Sequence, residues 1–127
     1  MLEVFCFNTL FITFFRQQYG LYLNQSNIFR GVFSITLLVL EGSMVKSIFV
    51  SHTGWISDLH WSKTKENQFI SAGYDNLLKI WDRRSPKAPL YDLSGHEDRI
   101  LCCDWSVADL LISGSADLTL KLFRIPE

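Results

Sequence analysis

From Val45 onward apolar and polar residues alternate in short runs separated by polar turns, the spacing of many short antiparallel strands. Lys46 to Val50 reads as one strand. Trp55 to Trp61 reads as the next, with Trp55, Ser57, Leu59 and Trp61 on one side and Ile56, Asp58 and His60 on the other. A charged loop over Lys63 to Gln68 leads to a short buried strand, Phe69 to Ala72, and a tight turn at Gly73-Tyr74-Asp75-Asn76. Leu77 to Trp81 continues as a strand, Arg83 to Lys87 as a loop closed by Pro86 and Pro89, and Leu90 to Leu93 as a further strand before Gly95-His96 restarts the pattern.

That restart is an internal repeat. His52-Thr53-Gly54-Trp55-Ile56 matches His96-Glu97-Asp98-Arg99-Ile100, and His60-Trp61-Ser62 matches Asp104-Trp105-Ser106. Phe69 to Asp75 then matches Leu111 to Asp117, and Leu78-Lys79-Ile80-Trp81 matches Leu120-Lys121-Leu122-Phe123. The offset is 44 residues from His52 to His96 and 42 from Ser71 to Ser113. A period of that length points to four-stranded propeller blades, and the two-residue slack falls in the loop after Trp61, where length changes cost little. The expected fold is therefore all-β: two C-terminal propeller blades over residues 45–127, a fragment of a larger ring, with repeats from His52 to Asp82 and from His96 to Arg124. Two blades alone leave two apolar faces and several strand edges in water.

Residues 1–44 have a different texture, with runs such as Phe11-Ile12-Thr13-Phe14-Phe15 and Thr36-Leu37-Leu38-Val39-Leu40 and few charges beyond Glu3, Arg16, Arg30 and Glu41. Polar residues cut these runs below the roughly 20 residues a membrane helix needs, so a membrane partner is not expected. Glu3 stands where a secretory signal would carry basic residues. The enrichment in Phe, Leu, Ile, Tyr and Asn, without a period, is what translated AT-rich non-coding sequence gives. The expectation is an apolar, non-propeller leader from a gene start placed too far upstream, with Met44 as the internal start.

Composition narrows the function. With 12 Lys and Arg against 13 Asp and Glu there is no general basic field to collect nucleic-acid phosphates. Cys6, Cys102 and Cys103 make neither a disulfide framework nor a zinc spacing, and the adjacent pair on a strand faces opposite ways. Ser71, His52 and Asp75 are the residue types of a hydrolase triad, but Ser71 lies inside a strand with no G-x-S-x-G elbow, and the same three types recur at Ser113, His96 and Asp117. A set that repeats with the fold reads as architecture. No enzyme activity, cofactor or metal is expected, and His60 reads as a rim or packing residue.

Gly95-His96, Trp81-Asp82 and the aspartates in the tight turns resemble the WD-repeat family. The resemblance implies a buried hydrogen-bonded set of His52, Ser71, Asp75 and Trp81, repeated at His96, Ser113 and Asp117. Side-chain chemistry fits, since Trp donates one N–H, Ser both donates and accepts, and His links a hydroxyl to a carboxylate. The second copy departs at Phe123, which has no N–H, so that blade is expected to be held less firmly. The turns bearing His52 and Asp75 place Thr53, Trp55, Tyr74, Glu97, Asp98 and Arg99 on one rim, with Trp55, Tyr74 and Arg99 as candidate partner contacts. Asp82 and Arg84 are further candidates, because Trp81-Asp82-Arg83-Arg84 is similar to the WDxR motif of cullin-4 ubiquitin ligase substrate receptors.

The run Arg84-Ser85-Pro86-Lys87-Ala88-Pro89-Leu90-Tyr91-Asp92-Leu93, continuing to Gly95-His96-Glu97-Asp98 and joined with His52-Thr53-Gly54-Trp55-Ile56-Ser57, is similar to the last two repeats of the ribosome-biogenesis family of WD-repeat protein twelve and Ytm. That resemblance covers Val45 to Pro126. It implies a non-catalytic subunit of the PeBoW complex, joined with pescadillo and a second WD-repeat protein on pre-60S particles, serving ribosomal RNA processing and 60S subunit assembly. It also implies a location in the nucleus, nucleolus and nucleoplasm. In that family a ubiquitin-like domain ahead of the propeller engages the ATPase midasin; nothing in these residues resembles it, so midasin binding is not expected of them.

Overall fold

The computed structural model describes residues 9–13, 19–24, 34–39 and 44–126. Its elements are all strands: β1 (Thr9–Thr13), β2 (Tyr19–Asn24), β3 (Ser34–Val39), β4 (Met44–Val50), β5 (Ile56–Trp61), β6 (Gln68–Gly73), β7 (Leu78–Asp82), β8 (Tyr91–Leu93), β9 (Ile100–Val107), β10 (Leu110–Ser115) and β11 (Leu120–Arg124). They form antiparallel sheets of order β1-β2-β3-β4, β5-β6-β7-β8 and β11-β10-β9. Each joins consecutive strands, the up-and-down order of propeller blades.

The leader expected to lie outside the propeller contributes β1, β2 and β3. Their sheet takes β4 as its fourth strand, with Ile35 opposite Phe49 and Thr36 opposite Ile48. Cys6, Arg16, Arg30 and Glu41 lie outside the described residues. The strand expected over Trp55 to Trp61 begins instead at Ile56, and its sidedness differs from simple alternation. A bulge between Ile56 and Asp58 puts two residues against one of β6, so Ile56 turns to the same side as Leu59 and Trp61.

Two apolar layers join the sheets. One unites Ile35 and Phe49 of the first sheet with Ile56, Leu59, Trp61, Phe69 and Trp81 of the second. Phe49 meets Phe69 edge-on at 5.0 Å and Trp81 at 5.3 Å. The other layer unites Ile70, Ala72, Leu78 and Ile80 with Ile100, Cys103, Trp105 and Leu111 of the third sheet. At roughly 1.5–3 kcal/mol for each large side chain fully buried, these layers are the main cohesion between sheets. Hydrogen bonds support the second layer. Ser57 Oγ donates to the Ile100 carbonyl at 2.6 Å, and Cys103 N–H donates to Asp58 at 3.0 Å.

Candidate functional site

Each tight turn brings an aspartate back over the first residues of its own repeat. In the first repeat His52 Nδ1 lies 2.8 Å and 3.0 Å from the two Asp75 oxygens, and His52 Nε2 lies 2.7 Å from Ser71 Oγ. Trp81 Nε1–H donates to the same Ser71 Oγ at 2.9 Å. One tautomer uses every group once: Nδ1–H donates to Asp75, and the Ser71 hydroxyl donates to Nε2 while accepting from Trp81. The backbone N–H groups of Thr53 and Leu77 also donate to Asp75. Burial pushes the Asp75 carboxyl up, but the His52 contact and those two N–H groups outweigh it and hold it below the usual carboxylate range.

This geometry ties the turn, the inner strands and β7 into one unit. Ser71 is 0% exposed, so its hydroxyl is closed to a substrate as well as fully engaged. Gly73 is needed for close approach, since a Cβ there would stand 2.5 Å from both Asp75 Oδ1 and His52 Nδ1.

The second repeat rebuilds three of the four positions. His96 Nε2 is 2.7 Å from Ser113 Oγ, and His96 Nδ1 is 2.9 Å from Asp117 Oδ2. Phe123 offers no N–H, so one acceptor position of Ser113 goes unused by that strand. Thr119, a residue the sequence reasoning passed over, adds support instead: its hydroxyl donates to Asp117 Oδ1 at 2.6 Å and its N–H to the same oxygen at 2.9 Å. With these bonds foremost, and His96 and Glu97 N–H added, the Asp117 carboxyl is held far below its ordinary value. A hydroxyl two residues after the turn aspartate is the sequence signal that would have found it.

Of the candidate contacts, the structure brings Trp55, Tyr74 and Arg99 into one patch across the boundary between the two repeats. Tyr74 N–H donates to the Trp55 carbonyl at 2.7 Å, and the Arg99 guanidinium sits 5.3 Å from the Tyr74 ring centre, in range of a cation–π contact. Trp55 and Tyr74 are both exposed. Asp82 and Arg84 lie apart from that patch and differ from each other. Asp82 is buried and both its oxygens are taken by the Arg84 guanidinium, at 2.9 and 2.6 Å, which draws its carboxyl below the usual range. Arg84 is exposed, held in that fork.

His60 is more than a rim residue. Its Nε2 lies 2.9 Å from Asp104 Oδ1, and the Trp105 N–H reaches its Nδ1 at 3.2 Å, so it bridges the two repeats. Cys103 is buried, and burial, helped by the neighbouring Asp58 charge, pushes its thiol well up; Cys102 is exposed on the other side. Among the described residues no group of three His, Cys, Asp or Glu is disposed to hold a metal, and no helix is long and apolar enough to cross a membrane.

Stacked sheets of consecutive antiparallel strands, the second and third each pinned by a His–Ser–Asp cluster, define a β-propeller repeat protein. The chain matches the model of the WD domain, G-beta repeat family over residues 42–82 and 87–124, and it belongs to that family. Among its relatives are ribosome biogenesis protein WDR12 homologs of Ixodes scapularis, 55% identical, and of Brugia malayi, 60% identical, each over 84 residues and 66% of this chain. Those residues span 20% and 19% of the two relatives, about a fifth of their length. The computationally designed Ika4 protein superposes with a TM-score of 0.72 at 20% identity over 88% of this chain and 63% of its own, a likeness of fold.

Proposed function

We propose that this chain is a non-catalytic interaction module of ribosome biogenesis, equivalent to the C-terminal blades of a PeBoW-type subunit. In this reading it docks, through the Trp55, Tyr74 and Arg99 patch, a protein partner on nucleolar and nucleoplasmic pre-60S particles during ribosomal RNA processing. The supporting observation is the similarity to ribosome-biogenesis proteins, 45–60% identical over 84 residues. Surface chemistry supports the choice of patch, because exposed Trp, Tyr and Arg side chains are the residue types that dominate interface hot spots. The test is affinity purification of the tagged protein followed by gradient sedimentation. Recovery of 60S precursors, reduced by a Trp55→Ala, Tyr74→Ala, Arg99→Ala triple variant of unchanged circular dichroism, is expected. Recovery of no large-subunit precursor overturns the ribosomal reading, and unchanged recovery by the triple variant overturns the patch.

A second reading rests on Arg84. Its exposed guanidinium, set by the Asp82 fork, suits a cullin-4 ligase adaptor that reads the Trp81-Asp82-Arg83-Arg84 segment. A pull-down with the adaptor that depends on Arg84, tested by Arg84→Ala, supports this reading; no binding by either form removes it.

A further inference from the structure

The near-zero net charge of the chain conceals a separation of charge between the two ends of the second sheet. In this up-and-down sheet the β5–β6 and β7–β8 connections leave from one end, and the loops carrying Trp55, Tyr74 and Arg99 from the other. The first two connections hold Lys63, Lys65, Arg83, Arg84 and Lys87, five of the 12 Lys and Arg in the chain. The carboxylates at that end of the sheet are Glu66 and Asp82, and Asp82 is buried under the Arg84 fork. The opposite end of the two repeats sets Asp75, Glu97, Asp98 and Asp117 against Arg99.

The cations belong to one ordered surface. Arg83 N–H donates to the Asn67 carbonyl at 2.9 Å and its Nε to Asn67 Oδ1, which ties the two loops side by side. Ser62 Oγ accepts the Thr64 and Lys65 N–H groups at 3.3 and 3.0 Å and shapes the first loop. Arg84 is 69% exposed, with Nε and Nη2 on Asp82 and Nη1 outside the fork. Lys63 and Lys87 are exposed. Blade architecture does not require these charges. The third sheet makes the equivalent β9–β10 turn with Ala108-Asp109 and no cation, and Trp105 Nε1–H donates to the Ala108 carbonyl there at 3.3 Å. The carboxylates of the third sheet toward this end have partners of their own: Asp104 meets His60 and Ser106, and Asp109 lies 3.9 Å from Arg124.

We infer that these two loops form a site for the phosphate backbone of an RNA duplex. Lys and Arg held on ordered loops neutralise phosphates, and each neutralised phosphate releases counterions. Residues 62–67 and 83–89 include no aromatic residue, so the bases of a single strand have nothing to stack on. They include no Val, Ile, Leu or Met either, so a peptide finds no pocket for its side chains and a bilayer no anchor. Readout is therefore of backbone and shape, not of base sequence. The acidic opposite end orients the approach. The site lies away from the Trp55, Tyr74 and Arg99 patch and does not rest on the protein partner proposed for it. The choice of RNA over DNA does rest on the ribosomal reading.

The probe is a fluorescent RNA duplex of about 16 base pairs, the span of a duplex-binding module. It is titrated by anisotropy with the 127-residue chain at several salt concentrations. Binding is expected, with log K falling linearly against log salt. Lys63→Gln and Lys87→Gln, one from each loop, should each cut affinity about fivefold at roughly 0.1 M salt and flatten the slope by about one. Lys121→Gln removes the same charge elsewhere and should leave both unchanged. In the native chain, bound RNA should protect Lys63, Lys65 and Lys87 from acetylation and leave Lys121 reactive, a readout independent of how the variants fold. No RNA binding by the native chain, an equal loss from Lys121→Gln, or protection of Lys121 instead overturns the inference. So does tighter binding of a uridine strand of the same length, of a polyglutamate peptide, or of phosphatidylserine–phosphatidylcholine vesicles. A DNA duplex that binds as tightly overturns the assignment to RNA, while the ribosomal reading stands or falls by its own sedimentation test.

Discussion

The two repeats share a polar cluster almost to the ångström and differ in nearly everything that surrounds it. His to Ser is 2.7 Å in both, and His to Asp is 2.8 Å in one and 2.9 Å in the other. Yet all five residues of β7 are buried, while every second residue of β11 is exposed. Leu78 and Ile80 are 0% and 2% exposed where their equivalents Leu120 and Leu122 are 73% and 65%. The cluster is built by a turn and strands of its own blade, so it forms wherever the local sequence provides it. Burial of the third strand is supplied by neighbours: a sheet on each face and an outer strand at the edge. Local hydrogen bonding therefore sets the shape of a blade, and packing against the next blade sets how firmly it holds.

The sharpest way to break that comparison is to empty the core on one side. Trp81→Ala removes a fully buried indole touching Phe49 and Phe69, together with its hydrogen bond to Ser71 Oγ, at about 3–5 kcal/mol. Phe123→Ala, at a half-buried edge position, should cost less than half as much. Chemical denaturation followed by Trp fluorescence and amide exchange checks this, and equal losses at the two sites would mean that β11 is buried in solution as deeply as β7.

Next come the hydroxyls. Ser71→Ala leaves both His52 Nε2 and the buried Trp81 N–H without a partner, whereas Ser113→Ala strands only His96. At about 1–3 kcal/mol per orphaned buried group, the first substitution should cost roughly twice the second. Denaturation midpoints of the two variants give the ratio, and a ratio near one would show that the Trp81 bond contributes little.

Acid should separate the repeats by order. Both aspartates are depressed in the folded chain, so each contributes stability that is complete above the unfolded value of about 3.9 and is lost as pH falls through its folded value. Asp117 is held further down than Asp75. In a titration by NMR from about pH 5 to 2, the Thr53 amide, which donates to Asp75, should shift before the Glu97 amide, which donates to Asp117. The reverse order would contradict the role given to Thr119.

Much of this was legible because it repeats. The match of His52 with His96 and of Ser71 with Ser113 exposes the strands, the turns and the polar cluster in one step, and chemistry supplies the bonds. Three features were hidden for different physical reasons. The bulge at Ser57 depends on one extra residue, which an alternating pattern does not mark, so strict alternation places Ile56 on the face opposite the one it occupies. The strands before Met44 carry no cluster residues, and their contact with the core becomes visible only through Ile35 against the second sheet. The bridge from His60 to Asp104 joins repeat-equivalent positions, because β5 and β9 lie side by side in neighbouring blades. A repeat alignment already names such pairs once blade stacking is assumed.

A small turn difference also separates the repeats. Asn76 and Leu118 both have positive φ, 68° and 66°, a conformation that costs Leu more than Asn. Leu118 is 96% exposed and contributes no packing in return. Leu118→Asn should raise stability by about 1 kcal/mol, read as a higher denaturation midpoint; a loss would mean that Leu118 is covered in solution.

The finest test restores the missing donor. Phe123 stands opposite Leu111 as Trp81 stands opposite Phe69, and Ser113 keeps a lone pair free where Ser71 accepts an indole N–H. Phe123→Trp should complete the second cluster. A hydrogen bond of this kind is worth about 0.5–1.5 kcal/mol net, and at a half-exposed edge the lower end, about 0.5, applies. The gain should vanish in a Ser113→Ala background, so a double-mutant cycle isolates it. If the coupling is absent while the single variant is still more stable, the indole is acting through apolar burial, and the weakness of the second repeat lies wholly in its uncovered face. If the coupling appears without any added protection of β11 from exchange, the cluster and the strand's cover are independent, as the near-identical His–Ser–Asp geometry of the two repeats already implies.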